Sequence, residues 1–159
     1  MWLFLASEAM LFASLFSGYV MLRTGATDWP AGPGGFPWLE TVLLVGASAA
    51  FGARRLRLIA SNALGLTFVV IKIFSDLALI DQGITPATNL MWACFFALTW
   101  VHAAHVLAGT LFIGWMAGPV FRISEFEHER WQARVDALRL YWLFVDLVWL
   151  FIVAGFYLA

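Results

Sequence analysis

Apolar residues along the chain gather into five runs separated by short polar or glycine- and proline-rich stretches. The runs are Trp2 to Leu22, Phe36 to Ala53, Leu58 to Ile80, Leu90 to Ala117 and Ala137 to Leu158. A helix needs about 20 mainly apolar residues to cross a bilayer. The pattern therefore predicts an all-α chain: an integral membrane bundle of five transmembrane helices over about 2–23, 36–53, 58–81, 88–117 and 134–158, in one transmembrane domain covering 1–159. Residues Thr24 to Pro37 hold four glycines and three prolines, a composition that stops a helix. Gly83 and Pro86 break the next outer connection, and Gly118 with Pro119 ends the fourth run. The first run lacks a basic n-region and an Ala-x-Ala site, so it reads as a retained helix and not a signal peptide.

Composition agrees with the pattern. Hydrophobic residues make up 63% of the 159 and charged residues 12%, against roughly 25% charged in soluble domains; the mean hydropathy is +0.87. A net charge of -1 supplies no electrostatic attraction for nucleic acid. Cys94 is the only cysteine, which excludes an intramolecular disulfide. Charge near the helix ends sets an orientation. Arg54, Arg55, Arg57, Arg122, Arg130, Arg134 and Arg139 belong to the side of the second and fourth connections, and Arg23 alone to the other. That asymmetry predicts a cytoplasmic N-terminus and an external C-terminus.

A few ionisable residues interrupt the apolar runs, and each needs a partner or a purpose. Lys72 and Asp76 stand four apart, on one face of the third helix, where they are able to neutralise each other; a direct part in proton movement is the second reading. Glu8 lies one and a half to two turns inside the first run without an opposite charge on its own helix. His102 and His105, roughly 18 Å from either end of their run at 1.5 Å per residue, are its natural partners, as structural glue or as a working protonation site. Asp146 is read as a hydrogen-bonding anchor of the fifth helix. Trp29, Trp38, Trp131 and Trp142 fall near expected interfaces, where such rings anchor helices. Gly46 with Ala50 and Ala49 with Ala53 permit close helix contact.

Metal chemistry finds little support. His102 and His105 are one turn apart on a single helix and do not clamp opposite faces of one iron. Glu125-Phe-Glu-His128 spells Glu-x-x-His once, where a di-iron site needs two such motifs and further glutamates. No catalytic, cofactor-binding or metal residue is expected in this chain.

Four stretches resemble the subunit III family of haem-copper respiratory oxidases. WLFLASEAMLF, Trp2 to Phe12, is similar to the signature with Ser-Glu-x-Met, continued by Gly18, Tyr19 and Arg23. Lys72 to Asp76 with Gly83, Ile84, Thr85 and Pro86 resembles the bacterial Lys-x-x-x-Glu and Gly-Ile-x-Pro elements, with Asp in place of Glu. LTWVHAAHVLAGTLF, Leu98 to Phe112, is similar to the paired-histidine run, with Trp100 where Gly is usual. YWLFVDLVWLFIV, Tyr141 to Val153, resembles Tyr-Trp-His-Phe-Val-Asp-x-x-Trp, with Leu143 replacing the histidine. The resemblance runs over nearly the whole chain in its five-helix form, without the two extra N-terminal helices of longer members; the V-shaped lipid cleft of those members is then either absent or completed by another subunit.

That resemblance implies a non-catalytic subunit of a cytochrome c or quinol oxidase in a bacterial inner membrane. It implies that the chain binds subunit I beside subunit II, holds phospholipid and sustains proton uptake, while haem and copper reside in partner subunits. Glu8 would be the membrane carboxylate, with His102, His105 and Asp146 in the polar interior. A subunit III-like accessory protein of a nitric oxide reductase and a small ion-coupled transporter using Glu8, Lys72 and Asp76 are the alternatives; the missing inverted repeat speaks against the second.

Overall fold

A computed structural model describes residues 2–118 and 128–158. Among them are five α-helices: α1 Trp2–Gly25, α2 Trp38–Ala50, α3 Arg55–Asp81, α4 Leu90–Ala117 and α5 His128–Val153, the last continuing into a π-helical turn, Ala154–Leu158. No strand occurs among the described residues. Arg122 and the Glu125 and Glu127 of the Glu-x-x-His string lie outside them.

Local chemistry sets the helix ends. The Asn89 side chain accepts a hydrogen bond from the Trp92 amide at 3.0 Å and caps α4. At the end of α3, Gly83 takes a φ of +81°. Its amide reaches the Ile80 carbonyl at 2.9 Å and that of Ile84 reaches Leu79 at 3.0 Å, closing a Schellman turn that only glycine enters without strain. α3 begins at Arg55, earlier than hydropathy placed it, because the Arg54 carbonyl already accepts the Arg57 and Leu58 amides. α5 starts at His128, six residues before the expected boundary; Glu129, Arg130 and Gln132 are good helix formers but not apolar, so hydropathy passes over this turn.

α1, α3, α4 and α5 are long and apolar enough to cross a membrane. α2 has 13 residues, about 20 Å of helix against a hydrocarbon core of about 30 Å. Pro37 precedes its first turn, and Phe51 leaves it in extended conformation at ψ 139°. The helix therefore stops short of the 36–53 span expected from the sequence.

α2 packs on α3, α3 on α4 and α4 on α5; α2 also meets α5, and α1 leans on α4 and α5. Trp142 of α5 is the wedge. Its ring fills space left by Gly65 of α3 and Gly109 of α4, where an added Cβ would come within 3.2 Å and 2.5 Å of it. Trp142 and Trp131 are both buried, so their rings pack against protein instead of anchoring a helix at the bilayer surface; for Trp142 the space is that left by Gly65 and Gly109. Gly46 admits Leu64 of α3 at 3.7 Å. Large apolar side chains such as Leu66, Val70, Ile73, Phe74 and Leu77 on α3 face outward, as lipid as solvent requires. Arg55 donates through Nε to the Ala117 carbonyl at 3.0 Å. That bond brings the start of α3 and the end of α4 to the same, arginine-rich end of the bundle.

Candidate functional site

Two polar centres lie inside the bundle, one on each side of α4. In the first, Nε2 of His105 is 2.7 Å from Oε2 of Glu8 on α1, and both side chains are 18% exposed. Nδ1 of His105 meets the Val101 carbonyl at 2.7 Å. A carbonyl only accepts, so Nδ1 carries a hydrogen. The Glu8–His105 contact then holds one proton, on the carboxyl or on Nε2, and the pair is neutral overall in either form. Tyr141 donates to the His105 carbonyl at 2.8 Å, and Phe12 packs on the imidazole edge at 5.0 Å between centroids. α1 is therefore fastened where its one embedded carboxyl meets α4.

Lys72, Asp76 and Trp100 form the second centre. Nζ of Lys72 is 2.6 Å from Oδ1 of Asp76, with both side chains buried. The other carboxylate oxygen accepts the Trp100 indole N–H at 3.0 Å, and the ammonium sits 4.8 Å from the centre of the Phe95 ring. Glu40 of α2, also buried, lines one cavity together with Lys72 and Ser75. Sequence reading passed over Glu40 because it stands at a helix start, where carboxylates are ordinary. Only the packing of α2 on α3 turns it inward. Trp100 was equally silent, since an indole in an apolar run reads as core or lipid anchor.

His102 does not meet Glu8. It is fully buried, stacked on Trp149 at 5.3 Å and 26° and set edge-on to Phe68 at 5.9 Å. Neither of its ring nitrogens finds a hydrogen-bond partner among the described residues. Asp146 accepts a hydrogen bond from Ser48 of α2, and Trp149 donates to Thr41 at 3.1 Å; together they tie α5 to α2. Leu143, which stands where the resembling motif has histidine, is 55% exposed and points away from the interior.

These residues do not fit a haem or a copper ion. Both nitrogens of His105 are engaged, aromatic rings hem in His102, and no group of three His, Cys, Asp or Glu among the described residues converges on a point.

An apolar groove of about 340 Å³ runs between α1, α4 and α5, lined by Phe4, Ala108, Phe112, Leu138 and Tyr141 with Arg134 as its one charged group.

Comparison with known proteins places this geometry among its relatives. Residues 1–159 match the family described as Cytochrome c oxidase subunit III. The chain is 29% identical to Cytochrome bo(3) ubiquinol oxidase subunit 3 of Pseudomonas putida over 99% of its own length and 83% of the relative's. It is 30% identical to the subunit of the same name in Buchnera aphidicola subsp. Baizongia pistaciae, over 99% and 88%. Against Cytochrome c oxidase subunit 3 of Synechocystis sp. the identity is 31%, over 93% and 69%.

Proposed function

This chain belongs to the cytochrome c oxidase subunit III family, and from that premise we propose that it is the non-catalytic third subunit of a haem-copper terminal oxidase. The observation that carries the reading is a family match from the first residue to the last. The relatives above are oxidase subunits and favour neither the nitric oxide reductase nor the transporter alternative.

In this role the chain braces subunit I, next to subunit II, in a bacterial inner membrane. Its N-terminus and arginine-rich end face the cytoplasm and its C-terminus faces outside. Haem and copper belong to the partners and supply the oxygen chemistry there. The chain's own residues hold α1 through Glu8 and His105 and keep one proton in that contact near the cytoplasmic half. The α1–α4–α5 groove suits the acyl chain of a phospholipid whose anionic head meets Arg134. Lys72, Asp76, His102 and Asp146 keep the interior in register.

The test is purification through a tag on this chain from mildly solubilised membranes. The expected product carries reduced-minus-oxidised haem bands and consumes oxygen, and the oxidase activity of membranes from a strain lacking this chain declines faster during turnover. A tagged chain that emerges without any haem-bearing subunit defeats the proposal.

A further inference from the structure

Glu40 is 6% exposed, yet it lines a cavity of about 510 Å³ at the end of the bundle opposite the arginines. The Gly34–Trp38 stretch covers this cavity; Lys72, Ser75, Phe95 and Tyr157 complete its walls. It is separate from the groove beside Glu8, which is built on α1, α4 and α5.

The charges around it do not balance. Lys72 supplies one positive charge, and Asp76 is bonded to it at 2.6 Å. The second oxygen of Asp76 is taken by Trp100, so Asp76 is supplied with donors on both sides. Glu40 of α2 lines the same cavity as Lys72. The remaining neighbours bring no further cation: α4 contributes Phe95, the π turn contributes Tyr157, and the covering stretch from Gly34 to Leu39 holds no charged residue. Two carboxylates against one ammonium leave one surplus negative charge in a region of low dielectric, where uncompensated charge is costly. One unit of positive charge removes it, and the cavity leads that charge to the carboxyl from the side of the α1–α2 connection.

We infer that Glu40 is an exchangeable site for one positive charge, a proton or a monovalent cation, taken up through the cavity beneath Gly34–Trp38 and held against the Lys72–Asp76 pair. The site does not depend on the oxidase assignment, because it rests on charge and burial within this chain.

The test uses the full chain in its purified complex in lipid nanodiscs. Infrared spectra across pH are compared for the parent, Glu40→Gln and Asp76→Asn, in sodium, potassium and choline chloride. If the charge is a proton, the parent shows a protonated-carboxyl C=O band that Glu40→Gln removes. Asp76→Asn removes it too, although Glu40 is retained, because Lys72 is then free to balance Glu40. If the charge is a metal cation, that band is absent; the thermal midpoint of the parent is higher in sodium or potassium than in choline, and both variants lose the difference. A parent with neither signature overturns the inference. So does a Glu40 band that survives Asp76→Asn. Should one variant fail to assemble, the other against the parent still decides.

Discussion

Nε2 of His105 lies 2.7 Å from Oε2 of Glu8, and the Val101 carbonyl at Nδ1 makes that contact a one-proton bond between α1 and α4. α1 packs mainly on α4 and α5. The Tyr19 hydroxyl, which donates to the Gly155 carbonyl at 2.6 Å and accepts from Arg23 at 3.0 Å, fastens its far end to the π turn.

Glu8→Gln keeps a donor for Nε2 of a neutral His105, so the complex should assemble with a thermal midpoint near that of the parent. Glu8→Ala leaves Nε2 without its partner and should cost about 1–3 kcal/mol, read as a lowered midpoint and loss of this subunit on detergent washing. Equal behaviour of the two variants would show that the bond does not hold α1.

Lys72→Met strands Asp76 in the interior. Breaking a buried pair by removing one partner costs about 3–5 kcal/mol. The double variant Lys72→Met/Asp76→Asn keeps an acceptor for Trp100 and should recover more than half of that loss in thermal unfolding. A double variant as unstable as the single one would sink the account of Lys72 and Asp76 as a mutually neutralising pair.

Gly109→Ala places a Cβ 2.5 Å from Cζ3 of Trp142 and 3.0 Å from Cε1 of Tyr141. Overpacking of this kind costs about 1–3 kcal/mol. Gly18→Ala, whose Cβ meets nothing within 4 Å, should unfold like the parent. The two glycines differ only in what the opposing helix puts there, and comparing their midpoints isolates that difference.

Trp100→Phe keeps an aromatic ring but removes the N–H from Oδ2 of Asp76. A hydrogen bond to a charged group contributes about 1.5–3 kcal/mol, and the half-exposed indole places the loss toward the lower end. Combined with Asp76→Asn, the substitution should cost little more than Asp76→Asn alone; full additivity would argue against a direct bond. These are the positions on α3 and α4 where the sequence resemblance has Glu and Gly in place of Asp76 and Trp100, and the two side chains meet each other.

Length, apolar run and breaker residues are local properties, so the sequence by itself determined that this is a helical membrane chain and roughly where its helices lie. The spacing of Lys72 and Asp76 is equally local, since i and i+4 share a face in any helix. Tertiary structure alone decided which histidine meets Glu8. His102 and His105 are less than one full turn apart and point in different directions, so the rotation of α4 against α1 and α5 sends one to the carboxyl and the other between Phe68 and Trp149. Glu40 and Trp100 join Lys72 and Asp76 for the same reason: partners from three helices are chosen by packing angle and rotation, which no single stretch of sequence encodes.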